Sequence, residues 1–213
     1  MNVFPSSETN FIIPGPAGDL ELLSAPANTQ IDKPITAIIC HPHPLFAGTM
    51  QNKVVTTIKK ACTLTGVSTV RFNFRGVGKS TGSYDEGKGE LKDLFAVIDW
   101  VKAVHPDHEI WLAGFSFGAY IAALAGQEIQ TQKLILVAPP VVNFNLSFST
   151  LTQFSCDVYV LQGEQDEVVA AKEVFAWAKT VTSPIHLISF PETSHFFHGK
   201  LKQLTDALLT NLK

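Results

Sequence analysis

The sequence has little charge of either sign and no basic cluster. Only 16% of its 213 residues are charged and the formal net charge is −3. Tight nucleic-acid binding needs a concentrated cationic surface, so that class of partner is not expected. No apolar run approaches the roughly 20 residues needed to cross a bilayer, and no membrane partner is expected. The first residues, Met1 to Glu8, have neither a basic start nor an apolar stretch, so no signal peptide is expected and a cytoplasmic location is. There are only three cysteines, Cys40, Cys62 and Cys156. An odd set without ligand-type spacing fits buried, reduced thiols better than a disulfide framework or a metal site.

What is present is apolar bulk, 46% of the residues, enough for a sizeable core in one globular domain spanning 1–213. Repeats, low-complexity tracts and linkers are missing. Residues 19–25 and 34–41 read as strands, and "ITAIICH" has the nearly continuous apolarity of a strand buried on both faces. Further strands are expected at 67–74, 109–114, 133–139, 157–163 and 184–190. Helical spacing of apolar residues places helices at 50–64, 88–103, 118–128, 167–179 and 198–212. Strands alternating with helices predict a mostly parallel, twisted α/β sheet of about seven or eight strands with helices on both faces. In such sheets the chemistry sits in loops beyond the carboxyl ends of the strands.

Several loops carry candidate chemistry. "RFNFRGVGKSTGSY" contains Gly76-Val77-Gly78-Lys79-Ser80, the end of a phosphate-binding motif. The first glycine of that motif would fall at Asn73, and a turn-forming run rather than a helix follows Ser80, so nucleotide binding is not expected. "WLAGFSFGAY" contains Gly114-Phe115-Ser116-Phe117-Gly118 between a strand and a small-residue helix. This is the setting in which G-x-S-x-G holds a serine on a sharp, strained turn. Ser116 is therefore the candidate nucleophile, and the amide of Phe117 a candidate oxyanion donor at the helix N-terminus.

A serine hydroxyl needs a base. Among seven histidines, His195 follows the last expected strand, where a loop side chain can reach Ser116; His198 is the alternative. The base needs an orienting carboxylate. Asp166, in the loop of "LQGEQDEVV", is the candidate, with Glu164 as the alternative and a helix N-cap as its structural reading. His41 and His43 share a face and would suit a metal, but no third ligand is evident, so neither metal nor cofactor is expected.

The order Ser116, Asp166, His195 and the segments "HPHPLFAGTMQNKVV", "RFNFRGVGKSTGSYDEGKGE", "GFSFG", "GEQDEVV" and "SHFFHG" together resemble the α/β-hydrolase family over nearly the whole chain. The resemblance is to small bacterial members without a lid, in the dienelactone-hydrolase-like group. It implies the α/β-hydrolase fold without a large cap domain. It also implies a second oxyanion amide in the loop after the early strand, at His43 or, alternatively, Leu45. The glycine turn resembles the family's D-x-R-G-x-G-x-S, with Asn73 in place of the aspartate. Dienelactone hydrolases use cysteine where this chain has Ser116. The implied activity is hydrolysis of small esters or thioesters through an acyl-enzyme on Ser116. Leu45, Phe46, Phe115, Phe117, Phe144, Phe148 and Phe196 are the candidate pocket residues. A non-catalytic scaffold or binding protein and a peptidase are the competing readings. Oligomeric state is not legible in the sequence.

Overall fold

A computed structural model describes residues 4–28, 31–142 and 148–212. The strands are β1 Thr9–Gly15, β2 Gly18–Ala25, β3 Ile35–Cys40, β4 Ser68–Phe72, β5 Glu109–Phe115, β6 Lys133–Val137, β7 Asp157–Gly163 and β8 Ile185–Phe190. The helices are α1 Lys53–Leu64, α2 Lys88–Val104, α3 Phe117–Glu128, α4 Ala171–Ala178 and α5 Leu201–Asn211. The eight strands form one sheet in the order β1-β2-β4-β3-β5-β6-β7-β8. Pairing is antiparallel from β1 through β4 and parallel from there to β8. This is the expected α/β architecture.

The alternation of side chains along each strand divides the core into two layers. Ile38, Val70, Leu112, Leu134 and Val160 face α2, α3 and α4. Ala37, Ile39, Ala113, Ile135 and Leu161 face α1 and α5. Helix α3 can pack close to the sheet because its inner face is built from Ala119, Ala122, Ala123 and Ala125, all fully buried. Among the described residues, no helix is long and apolar enough to cross a membrane.

Several boundaries differ from the sequence expectation, each for a local reason. Strand β1 is an element that the sequence reading misses. Its Phe11 and Ile13 point inward, and Pro14 is tolerated because β1 is an edge strand. Helix α4 starts at Ala171, not 167, because the amides of Val168 and Val169 bond to a side-chain carboxylate, that of Asp166, instead of starting a helix. Helix α5 starts at Leu201, not 198, because Phe197 and Gly199 both adopt positive φ, 55° and 69°.

Candidate active site

The carboxyl ends of β3, β5, β7 and β8 lie on one rim of the sheet and bring their loops together. Strand β5 delivers Ser116 at φ 53°, ψ −121°, at the N-cap of α3. A non-glycine residue in this region is strained and persists only where its surroundings dictate it. Here they do so through close backbone packing. A Cβ at Gly114 would lie 2.2 Å from the Gly118 carbonyl oxygen, and one at Gly118 would lie 2.4 Å from that of Cys40. The two glycines flanking the serine are thus required by the approach of strand, helix and neighbouring loop. The Ser116 amide donates to the Val137 carbonyl at 2.9 Å, which fixes the turn to β6.

His195 and Asp166 complete a hydrogen-bonded chain. His195 Nε2 is 3.1 Å from Ser116 Oγ, and His195 Nδ1 is 2.8 Å from Asp166 Oδ2. All three residues are buried. Asp166 Oδ1 accepts the amides of Val168 at 2.9 Å and Val169 at 2.6 Å. Burial raises the pKa of this carboxyl. The hydrogen bond and charge of His195, with the two amides, outweigh burial and hold the pKa below the ordinary aspartate value. The cap-like bonds to Val168 and Val169 and the bond to His195 therefore coexist on one side chain. The alternatives lie elsewhere: Glu164 and His198 are both exposed, and neither joins this chain.

Two contacts here are absent from the sequence reading. Glu167 Oε2 accepts the backbone amide of His195 at 3.1 Å, tying the β8 loop to the β7 loop. Gln162, fully buried on β7, donates to Asp166 Oδ2 at 3.1 Å. A polar residue in an otherwise apolar strand pattern was the only signal for the second.

The loop after β3 forms the other wall. His43 caps a short 3-10 turn, Pro44–Phe46, by accepting the Leu45 amide on Nδ1 at 3.2 Å. The Leu45 amide is therefore engaged within its own loop, and Leu45 is exposed. His41 has a different task. Its Nδ1 donates to the Pro42 carbonyl at 2.6 Å and its Nε2 accepts the Phe74 amide at 3.0 Å. Both ring nitrogens are thus engaged, one within its own loop and the other joining it to the turn after β4. Burial pushes its pKa down to about 4, with the nearby His43 adding to the shift and the bond to Pro42 opposing it.

These walls enclose a cavity of about 450 Å³, which Ser116 and His195 border together with Pro42, His43, Phe46, Asn52, Val168 and Phe196. Its described lining contains no Asp, Glu, Lys or Arg. The candidate aromatics divide. Phe46 and Phe196 line the cavity. Phe115 does not: it lies in the α1/α5 layer beneath His195, with ring centroids 4.9 Å apart. Phe148 does not either, because it is fully buried against Trp177 in the opposite layer. The Phe117 ring packs inward on Phe74 and His43, away from the cavity lining. Phe144 falls outside the described residues.

The glycine turn after β4 borders this region and has its own anion. Glu21 Oε2 accepts the Lys79 amide at 2.9 Å and Asn73 Nδ2 at 2.8 Å, and Glu21 Oε1 accepts Asn10 Nδ2 at 3.0 Å. A Cβ at Gly78 would lie 2.4 Å from Asn73 Nδ2 and 2.5 Å from Glu21 Oε2. The resemblance to a phosphate loop arises because this turn also wraps an anion, but that anion is the protein's own carboxylate. Asn73 Oδ1 in turn accepts the Met50 amide at 2.9 Å, fastening the turn to the end of the cavity-lining loop. Arg75 closes the turn with a bidentate pair to the buried Asp93.

Comparison with known proteins places this geometry in context. Residues 42–208 match a family described as alpha/beta hydrolase domain. An uncharacterized protein of Rickettsia prowazekii is 35% identical over 202 residues, covering 91% of this chain and 84% of that protein. The structure of an alpha-beta serine hydrolase homologue from Coxiella burnetii is 47% identical with a TM-score of 0.94, covering 99% of this chain and 100% of that one. A lidless serine hydrolase from Xanthomonas campestris, XC6422, is 41% identical with a TM-score of 0.92, covering 98% and 94%.

Proposed function

Because the chain belongs to the alpha/beta hydrolase family, we propose that it is a serine esterase that cleaves small carboxylic esters or thioesters through an acyl-enzyme on Ser116. The observation that supports this most directly is the chain Ser116–His195–Asp166, at 3.1 and 2.8 Å, opening into an uncharged cavity.

In the proposed reaction, Ser116 Oγ attacks the carbonyl carbon while His195 Nε2 takes its proton. Asp166 holds the imidazole tautomer and stabilises the imidazolium. The developing oxyanion is received by the amide of Phe117, at the first turn of α3, and by that of His43. His195 then protonates the departing alcohol or thiol. In the second half, His195 activates water, which releases the acid and frees Ser116. The uncharged lining favours neutral acyl groups, since a charged group would lose its hydration without gaining a partner. The proposed partner is thus a small-molecule ester, with no metal or cofactor in any step.

A fluorophosphonate probe and a short p-nitrophenyl ester test the reading together. The native protein is expected to be labelled at Ser116 and to turn over the ester. Ser116→Ala is expected to lose both and to melt as the native protein does. Loss of a serine nucleophile lowers kcat by several orders of magnitude, so a variant retaining about a tenth of the native rate would refute the assignment. A binding or scaffold protein would give neither label nor turnover, and a peptidase would turn over peptides in preference to esters.

A further inference from the structure

We infer that Gln162 is a positioning residue for the site, acting through Asp166 to hold the imidazole of His195. The inference rests on the esterase reading for its kinetic consequence, but not for its structural one.

Strand β7 buries Val158, Val160 and Gln162 on the same side, facing the α2–α4 layer. The strand's period therefore calls for an apolar residue at 162. The amide found there is fully buried, and its surroundings dictate which way it points. Nε2 lies 3.0 Å from the Gly163 carbonyl, 3.1 Å from Asp166 Oδ2 and 3.3 Å from the Val169 carbonyl. All three are acceptors, so the amide must present its N–H groups to them. Oε1 is then left buried, with no hydrogen-bond partner among the described residues. A core amide placed for stability would have its oxygen satisfied; an orphaned carbonyl is the costly half of such a side chain.

What the arrangement does satisfy is the carboxylate. An ionised aspartate has about four acceptor positions. In Asp166 all are filled: Oδ1 by Val168 and Val169, and Oδ2 by His195 and Gln162. The two amides fix Oδ1 but leave the group able to pivot about it. The Gln162 donor removes that freedom and sets Oδ2 where His195 Nδ1 requires it. Glu167, which accepts the backbone amide of His195, restrains the same histidine from the other side.

The test compares the full-length protein with Gln162→Met, which keeps the volume but removes both amide atoms, and with Gln162→Glu, which replaces the donor by an acceptor. The low-field proton NMR signal of His195 Nδ1–H is read alongside ester kinetics and thermal melting. Gln162→Met is expected to melt within a few degrees of the native protein, because loss of the orphaned oxygen offsets loss of the donor to the Gly163 and Val169 carbonyls. Its Nδ1–H signal is expected to move or to broaden by exchange. Its kcat should fall about tenfold, because a small misplacement of a reacting group is costly in rate. Its KM should stay within about twofold. Gln162→Glu is expected to be slower still at neutral pH. An unmoved Nδ1–H signal with native kcat in Gln162→Met would overturn the inference, as would a fall in melting temperature that tracks the loss of rate. The proton signal needs no turnover. A native protein inert toward esters would therefore count against the esterase reading, while the signal alone decides the role of Gln162.

Discussion

Gly118 lies against the backbone of Cys40 so closely that a methyl group at 118 would sit 2.4 Å from the Cys40 carbonyl oxygen. The first turn of α3 and the end of β3 thus touch through backbone atoms alone, and this contact sets Ser116 relative to the loop carrying His43. Gly118→Ala is expected to destabilise the protein by about 1–3 kcal/mol, the usual effect of overpacking a tight contact. It should also lower ester turnover by displacing Ser116. Gly126, on the same helix, is the control: a Cβ there meets nothing closer than Leu134 Cδ2 at 3.5 Å. Gly126→Ala should stabilise by about 0.5–1 kcal/mol through helix propensity. Denaturant unfolding of the two variants checks both signs; equal effects would contradict the packing account.

Asp166 and Glu164 lie two residues apart in the same loop, but only Asp166 reaches His195. Asp166→Asn is expected to reduce kcat by orders of magnitude, because an asparagine amide can present its N–H to the ring and favour the wrong tautomer. Glu164→Gln should change kcat little, since Glu164 is exposed. Steady-state kinetics of the pair at neutral pH measures this, and the reverse ranking would move the acid to Glu164.

His41 makes folding stability depend on pH. Its folded pKa is pushed down to about 4, from an ordinary value of 6.5. On acidification the unfolded chain takes up this proton near pH 6.5, while the folded chain resists until about pH 4. Protons therefore favour the unfolded state across that window, and stability falls as pH drops through it. The full contribution is about 3 kcal/mol. His43, whose pKa burial also lowers, adds in the same direction. Unfolding free energies measured from pH 7 to 4 should show this slope, and His41→Gln should flatten it. An unchanged slope in the variant would assign the effect to other groups.

Asn73 stands where the resembling turn has aspartate, and Glu21 explains why. Asn73 Nδ2 donates to Glu21 Oε2 at 2.8 Å, with both side chains buried. Asn73→Asp would set two carboxylates against each other, which cannot both ionise cheaply. It should destabilise by about 1–3 kcal/mol at pH 7. One carboxyl then has a raised folded pKa, so the deficit is present above that pKa and shrinks as pH falls below it. Adding Glu21→Gln restores a donor–acceptor pair and should recover part of the loss. Additive effects of the two substitutions in a double-mutant cycle would contradict the pairing.

The central strands and the serine turn were legible because local chemistry dictates them, while the order of Ser116, Asp166 and His195 was read from the family resemblance. Buried strands need apolar runs, and the strained serine needs its glycines. Other features depend on what the chain meets in three dimensions. Phe115 and Phe46 are the same residue type in sequence, yet the face of β5 sends Phe115 into the core beneath His195, while the turn after β3 leaves Phe46 at the cavity. Glu167 and Gln162 act through the backbone of His195 and the carboxylate of Asp166, contacts between loops that no local spacing encodes. The start of α4 was misplaced because Val168 and Val169 look helical in pattern, although their amides are bound by Asp166.

The sheet order has a consequence for how activity arises during folding. Ser116 hangs from β5 near the middle of the sheet, whereas His195 follows β8, an edge strand held in the sheet by β7 alone. The nucleophile and its proposed base are separated by 79 positions, so their meeting is a non-local event of the kind that forms late. A chain that lacks only β8 and the residues after it already contains the serine elbow and Asp166, but not His195. Docking of the last strand is what places His195 beside Ser116. On the proposed reading, a chain without this last pairing would lack its base and be inactive.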